Sequence, residues 1–292
     1  MDNATTQNGH TGSSIHLMPI SEEEFQALRK LVYDRFGINL TEQKRLLVVG
    51  RLQKVLKSRG FATFRDYYNF LVNDKSGKAI EELAARISTN HTFFYRESDH
   101  FEYFVNTVLP EAVQRHQRRN DLDLRIWCAG CSSGEEPYTL AMLLLEYFGA
   151  EYSRWKAGIL ATDISLKVLE TAIKGVYNDE RVKPLPENLK RKYLKHIGDD
   201  EWTVVDRIKS EITFRCLNLM NEKFPFRKQF DAIFCRNVMI YFDQPTRDGL
   251  VKRFDQCLAP GGILFIGHSE SLRSVSCPLK YVMPAVYRKE GI

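Results

Sequence analysis

Near Asp121 the spacing of the apolar residues changes from a helical period to short apolar runs set between amphipathic stretches. That change restricts the chain to a helical unit followed by an α/β unit. From about Pro19 to Asn90 only helical spacing is present. Ser21 and Glu24 form a capping box, with Ile20 and Phe25 as the hydrophobic staple across it. Phe25, Leu28, Leu31, Val32 and Phe36 then follow helical spacing until Gly37 ends the run. A second helix is expected from near Thr41 to Gly60. Its apolar face is Val48, Val49, Leu52, Val55 and Leu56, and Arg51, Lys54 and Lys57, flanked by Lys44, lie on the other side. A third helix follows Thr63 with Phe64, Tyr67, Tyr68 and Leu71 inward, and a fourth covers about 78–87.

Beyond Asp121, strands are expected at 124–128, 158–162, 231–235 and 263–267, with helices near 136–148, 165–174 and 245–258. Alternation of this kind builds βαβ units and a mostly parallel sheet covered on both faces. The segment 182–218 breaks the alternation. A basic helix at 187–195 and strands at 202–205 and 212–216 read as a small antiparallel insertion. The chain thus divides into a tail over 1–18, a helical domain over 19–88 and an α/β domain over 89–292, with a small β subdomain at about 182–216.

Composition removes several classes. With 43% hydrophobic and 27% charged residues the chain is balanced like a soluble globular protein. No apolar run reaches the roughly 18 residues that span a bilayer. The polar start, Met1 to Ser14, lacks the order of a signal peptide and is expected to be disordered. The six cysteines, without a secretion signal, read as reduced thiols of a cytoplasmic protein. A net charge of +5 favours an acidic partner surface and is too small to argue for nucleic acid.

The first strand runs into Ala129-Gly130-Cys131-Ser132-Ser133-Gly134-Glu135-Glu136-Pro137-Tyr138. Small residues between a strand and a helix let a ligand approach the backbone. The G-x-x-x-G spacing departs from the dinucleotide fingerprint, and two carboxylates at the helix start would repel a pyrophosphate. A cationic or hydroxyl-rich ligand fits better, although acidic residues also suit a plain helix N-terminus. Asp163 ends the next strand 29 residues after Gly134, near the interval at which an acidic residue binds a ribose hydroxyl. Alone it would read as the N-cap of the following helix. Arg236 and Asn237, with Tyr241 on the same edge, follow the strand 231–235, where open α/β sheets place their ligands. Arg96 lies at the junction of the two halves and offers a fork suited to a carboxylate or to an interdomain ion pair. Cys128 and Cys131 have no second pair, and the seven histidines show no metal-ligand spacing, so no metal is expected.

Four blocks together resemble the chemotaxis receptor methyltransferases, the CheR family. They are Asn90-His91-Thr92-Phe93-Phe94-Tyr95-Arg96, the run Cys128 to Tyr138, Ala161-Thr162-Asp163, and Phe234-Cys235-Arg236-Asn237-Val238-Met239-Ile240-Tyr241-Phe242. The likeness extends from about Pro19 to Gly267-His268-Ser269-Glu270. It implies a Rossmann-like class I methyltransferase sheet with a small antiparallel β insertion, preceded by an all-α N-terminal domain. It also implies S-adenosylmethionine as methyl donor, S-adenosylhomocysteine as product, and glutamate γ-methyl esters on receptor methylation helices.

The same resemblance puts Asn90, Thr92 and Arg96 on the junction side of the cofactor site. Ala129 and Glu136, with Glu135 an alternative, would lie on the loop side and Asp163 at the ribose or adenine end. Asn218, Leu219, Arg236 and Asn237 would complete the pocket, and Arg96 and Tyr241 would flank the transferred methyl. Lys44, Arg51, Lys54 and Lys57 become a docking face for acidic receptor helices. The stretch from His196 to Trp202 has one glycine, which departs from members that tether a receptor C-terminal peptide through a glycine-rich loop. No such pentapeptide tether is expected, nor nucleic-acid binding or membrane insertion. A nicotinamide-dependent oxidoreductase is opposed by Glu135 and Glu136. An adaptor that has lost turnover is opposed by the presence of Arg96, Asp163 and Tyr241.

Overall fold

The computed structural model describes residues 18–88, 90–272 and 277–291, so the expected disordered tail lies, apart from Met18, outside the described residues. Helices α1 (Glu22–Phe36), α2 (Arg45–Arg59), α3 (Phe64–Asn73) and α4 (Lys78–Ile87) form the first unit. Both expected starts are reciprocal capping boxes, Ser21 with Glu24 and Thr63 with Asp66. Two backbone donors at each start are thereby satisfied by side chains. The helix α2 begins later than its spacing suggests because Glu42–Lys44 is a tight 3-10 turn. Phe25, Leu28, Val32, Leu52, Leu56 and Phe64 are fully buried. Each such burial contributes roughly 1.5–3 kcal/mol.

Helices α5 (Ser98–Tyr103) and α6 (Leu109–Arg118), joined by a π-type turn at Phe104–Val108, lead into the sheet. Its strands are β1 (Arg125–Ala129), β2 (Gly158–Asp163), β6 (Ile212–Cys216), β7 (Phe230–Cys235), β8 (Leu258–Ile266), β9 (Lys280–Met283) and β10 (Val286–Arg288). A second sheet contains β3 (Val176–Asn178), β4 (Leu194–Gly198) and β5 (Glu201–Val204). The large sheet has the order β6-β2-β1-β7-β8-β10-β9, parallel from β6 to β8 and closed by two antiparallel strands. The connecting helices are α7 (Glu135–Phe148), α8 (Leu166–Lys174), α9 (Asp179–Val182), α10 (Glu187–Tyr193), α11 (Asp206–Lys209) and α12 (Gln244–Cys257).

Two expectations are corrected. The strand at 212–216 is no part of the insertion: it is β6, paired in parallel with β2 from Ile159↔Ile212 to Asp163↔Cys216. The residues 194–195, expected to end the basic helix, begin β4, and the small antiparallel sheet has the order β3-β5-β4. A short strand shows the same alternation whichever sheet receives it, so only tertiary pairing assigns it.

One apolar core runs without a break from the helical unit to one face of the large sheet, joining Leu52 and Phe64 to Trp127, Ile233 and Phe254. The other face packs Phe101, Phe104, Leu140 and Phe234. The seam between the units is also tied by backbone. Ile38 forms an isolated bridge with Phe242, and the Asn39 N–H donates to the Tyr241 carbonyl at 2.8 Å. Gly37, at φ +67°, makes the closest approach: an added Cβ would lie 2.3 Å from Met220 Sδ. No helix among the described residues is long and apolar enough to cross a membrane.

Candidate functional site

The chain builds outward from β1 through β2 to β6, then returns to place β7 on the other side of β1. A crevice opens at such a switch point, outside the carboxyl ends of the strands. Here it is a cavity lined after β1 by Gly130, Cys131 and Ser132, after β2 by Asp163, after β6 by Asn218 and Leu219, and after β7 by Arg236 and Asn237. The junction supplies Asn90, Thr92, Phe93 and Arg96, and Tyr241 and Glu136 also face the space. Gly130 permits this at φ +91°, where an added Cβ would come within 2.5 Å of Val238 Cγ2.

Beneath the cavity lies a closed set of charges. Arg236, whose side chain is 4% exposed, pairs with Glu136 Oε2 at 3.0 Å and Glu97 Oε2 at 3.1 Å. It also donates to the Arg96 carbonyl and lies over the Phe101 ring. Glu97 further accepts from Asn237 Nδ2 at 3.2 Å. Burial pushes Glu97 up, but Arg236 and Asn237 more than offset this and its carboxyl is lowered. For Glu136 burial prevails and the carboxyl is raised, with Arg236 opposing. Glu270 organises the loop after β7, accepting from the N–H groups of Gly267 at 2.5 Å, Ile240 at 2.9 Å and Asn237 at 3.0 Å. Tyr95, Glu97, Ser132 and Asn237, in or beside the cavity wall, have positive φ, a backbone cost carried at the site.

Asp163 receives the Ser132 N–H at 2.9 Å and the Ser165 N–H at 3.0 Å. Burial raises its carboxyl and these amides oppose the rise. It is not the N-cap of α8; Ser165 is. Arg96 donates to the His91 carbonyl at 2.9 Å, and Asn218 donates to the Arg35 carbonyl at 2.7 Å, which ties the cavity to the end of α1. Ala129 is buried within β1, and the cavity wall begins one residue later, at Gly130. Glu135 turns away: it is fully buried, pairs with Arg181 at 2.6 Å and accepts from Ser133. Burial pushes the thiols of Cys128 and Cys131 up, which leaves them unreactive.

On α2, Lys54 and Lys57 are exposed, whereas Arg51 donates to the Ile87 carbonyl at the end of α4. Lys44 reaches back over the Tyr241 ring at 5.8 Å. Glu97 and Glu270 were absent from the expected site. The signal for both was position alone, next to Arg96 and at the end of Gly267-His268-Ser269-Glu270. The fold also joins Glu97, His100 and His268, a grouping their spacing could not show.

Residues 23–88 match the all-alpha domain of the CheR methyltransferases, and residues 90–286 match their SAM binding domain. The chain belongs to the CheR methyltransferase family. A chemotaxis protein methyltransferase of Borreliella burgdorferi is 48% identical over 270 residues, covering 92% of this chain and 95% of that protein. The corresponding protein of Escherichia coli is 38% identical, covering 87% of this chain and 86% of its own length. A probable chemotaxis protein methyltransferase of Rhizobium etli is also 38% identical, covering 82% and 89%. Like the CheR family as a whole, the chain is an S-adenosylmethionine-dependent methyltransferase of chemotaxis. The acidic groups that line the cavity, Glu136 and Asp163, suit such a cationic ligand.

Proposed function

We propose that this cavity holds S-adenosylmethionine and that the chain esterifies glutamate side chains on the cytoplasmic methylation helices of chemoreceptors, acting in the cytoplasm. The observation that carries this is the Glu136–Arg236–Glu97 set under a cavity lined by both Arg96 and Tyr241. Bound there, S-adenosylmethionine supplies a methyl on a positively charged sulfur. Glu136 faces that positive charge or the ligand's ammonium group, and Asp163 takes a ribose hydroxyl or the adenine end. Asn90, Thr92, Asn218, Leu219 and Asn237 complete the walls, and Arg236 holds Glu136 in position. A glutamate acceptor is already ionised at neutral pH and needs no general base. Arg96 orients that carboxylate and Tyr241 shapes the space in which it meets the methyl. Orientation alone can contribute about 7–11 kcal/mol.

Lys44, Lys54, Lys57 and Arg51 steer the acidic receptor helix, with Lys44 linking the docking face to Tyr241. The β4–β5 connection is the two-residue turn Asp199–Asp200, both at positive φ, so it offers no glycine-rich loop for a receptor C-terminal peptide. Catalysis is therefore proposed to proceed without that tether.

Calorimetric titration with S-adenosylmethionine, S-adenosylhomocysteine and NAD tests the cofactor assignment, with micromolar binding of the first two and none of NAD expected. Transfer of radiolabelled methyl to a receptor fragment as base-labile ester tests the reaction. Arg96→Ala and Tyr241→Phe should both lower turnover about tenfold or more, the change that a loss of roughly 1.4 kcal/mol of positioning produces. Full turnover in both would refute their placement.

A further inference from the structure

The helix that follows Arg96 carries a second set of side chains that the methyl-transfer reading leaves unused. His100 is fully buried, and neither ring nitrogen has a hydrogen-bond partner. Its Nδ1 points to Glu97 Oε2 at 3.6 Å. The His268 ring stands edge-on to it with centroids 4.7 Å apart. Glu97, His100 and His268 each offer a ligand atom, and these atoms all lie within 4.8 Å of one another. His268 Nε2 lies 3.0 Å from Asp99 Oδ2. A ring that donates one N–H to a carboxylate keeps its other nitrogen free as a ligand.

We propose that Glu97, His100 and His268 bind a divalent transition-metal ion of the zinc class, with Asp99 orienting His268. Two neutral imidazoles and one carboxylate are the ligand types such an ion takes in three-ligand sites, the fourth position being left to water. His268 is 44% exposed and provides the way in. The site has a consequence for the neighbouring cavity, and this part rests on the function proposed above. The ion would draw on the same Glu97 oxygen that Arg236 holds at 3.1 Å. Metal binding would then loosen Arg236 under Glu136, so the ion antagonises the adenosyl ligand.

Titration of the full chain with Co²⁺, followed by visible absorption, tests the site without reference to the cofactor. A Cys216→Ser background removes the exposed thiol. One Co²⁺ per chain is expected, with the spectrum of a low-coordinate nitrogen–oxygen site, displaced by Zn²⁺. His268→Ala, a change at a half-exposed position that leaves the fold intact by circular dichroism, should weaken binding at least tenfold. No saturable absorption, or an unchanged titration in His268→Ala, would overturn the site. With the site saturated by Zn²⁺, S-adenosylhomocysteine should bind at least threefold more weakly. Equal affinity would overturn the coupling, whereas failure of the nucleoside to bind in metal-free protein would count only against the cofactor assignment.

Discussion

The switch-point cavity and the outer face of α2 both carry several charges, yet those charges are held in different ways. In the cavity Arg236 is enclosed by Glu97, Glu136 and the Phe101 ring, and each group's environment is set by the others. On α2, Lys54 and Lys57 stand in water. The low dielectric of the first region enlarges every Coulombic effect, and solvent and salt reduce it in the second. Charges of the same formal size should therefore differ several-fold in consequence. They position groups in the cavity and guide a partner on the helix.

The largest effect should come from Arg236→Ala, which leaves two partly buried carboxylates without their cation. A loss of about 3–5 kcal/mol in urea unfolding is expected, together with loss of S-adenosylhomocysteine binding. A change below 1 kcal/mol would erase the distinction between the regions. Next in size, Glu136→Gln should weaken S-adenosylmethionine, which carries both positive groups, by about 10- to 100-fold in calorimetry, the value of an interaction with a charged group. Glu135→Gln, one residue away, should instead lower stability through Arg181 and leave affinity within threefold.

The pair formed by His116 and Asp231 asks whether burial by itself, and not membership of the site, sets the magnitude. His116 Nε2 lies 3.0 Å from Asp231, and that hydrogen bond, opposed by burial, raises the imidazole above its usual value. A base with a raised folded pKa adds stability that is fully present below its unfolded value of about 6.5 and disappears as pH rises through the folded value. The stability difference between wild type and His116→Gln, measured by urea unfolding, should therefore shrink between pH 6 and pH 9. A difference that grows with pH would contradict the assignment. The smallest effect is expected on α2. Lys54→Glu with Lys57→Glu should raise the receptor KM a few-fold at low salt, fading towards 0.5 M, since exposed pairs contribute about 0.2–1 kcal/mol each.

Much of the molecule was legible in order of local specificity. The helices α1, α3 and α4 were readable because capping boxes and apolar spacing are local. The strands β1, β2 and β7 were readable because their apolar runs are short and bounded. The segment from α5 to α6 was missed, its pattern being broken by the π-type turn before Pro110. The strands β9, largely exposed, and β10, buried but only three residues long, gave no comparable signal. In the site, Asn90, Thr92, Arg96, Asp163, Arg236, Asn237 and Tyr241 were named from motifs and meet at one cavity. Glu97 was not, and Glu270 entered only as the end of a matching block, because a carboxylate that supports neighbouring side chains or backbone N–H groups carries no mark of its own in the chain.

The sequence by itself determined the two-part architecture, the family and the motif residues that reach the cavity, since periodicity and short motifs are properties of neighbouring positions. Only the tertiary structure decided that β6 belongs to the large sheet, that Glu136 and not Glu135 faces the cavity, and that His100 meets His268 across 168 positions of chain. Each of these depends on strand pairing, helix rotation or burial between distant segments, and local pattern does not record which partners the folded chain brings together.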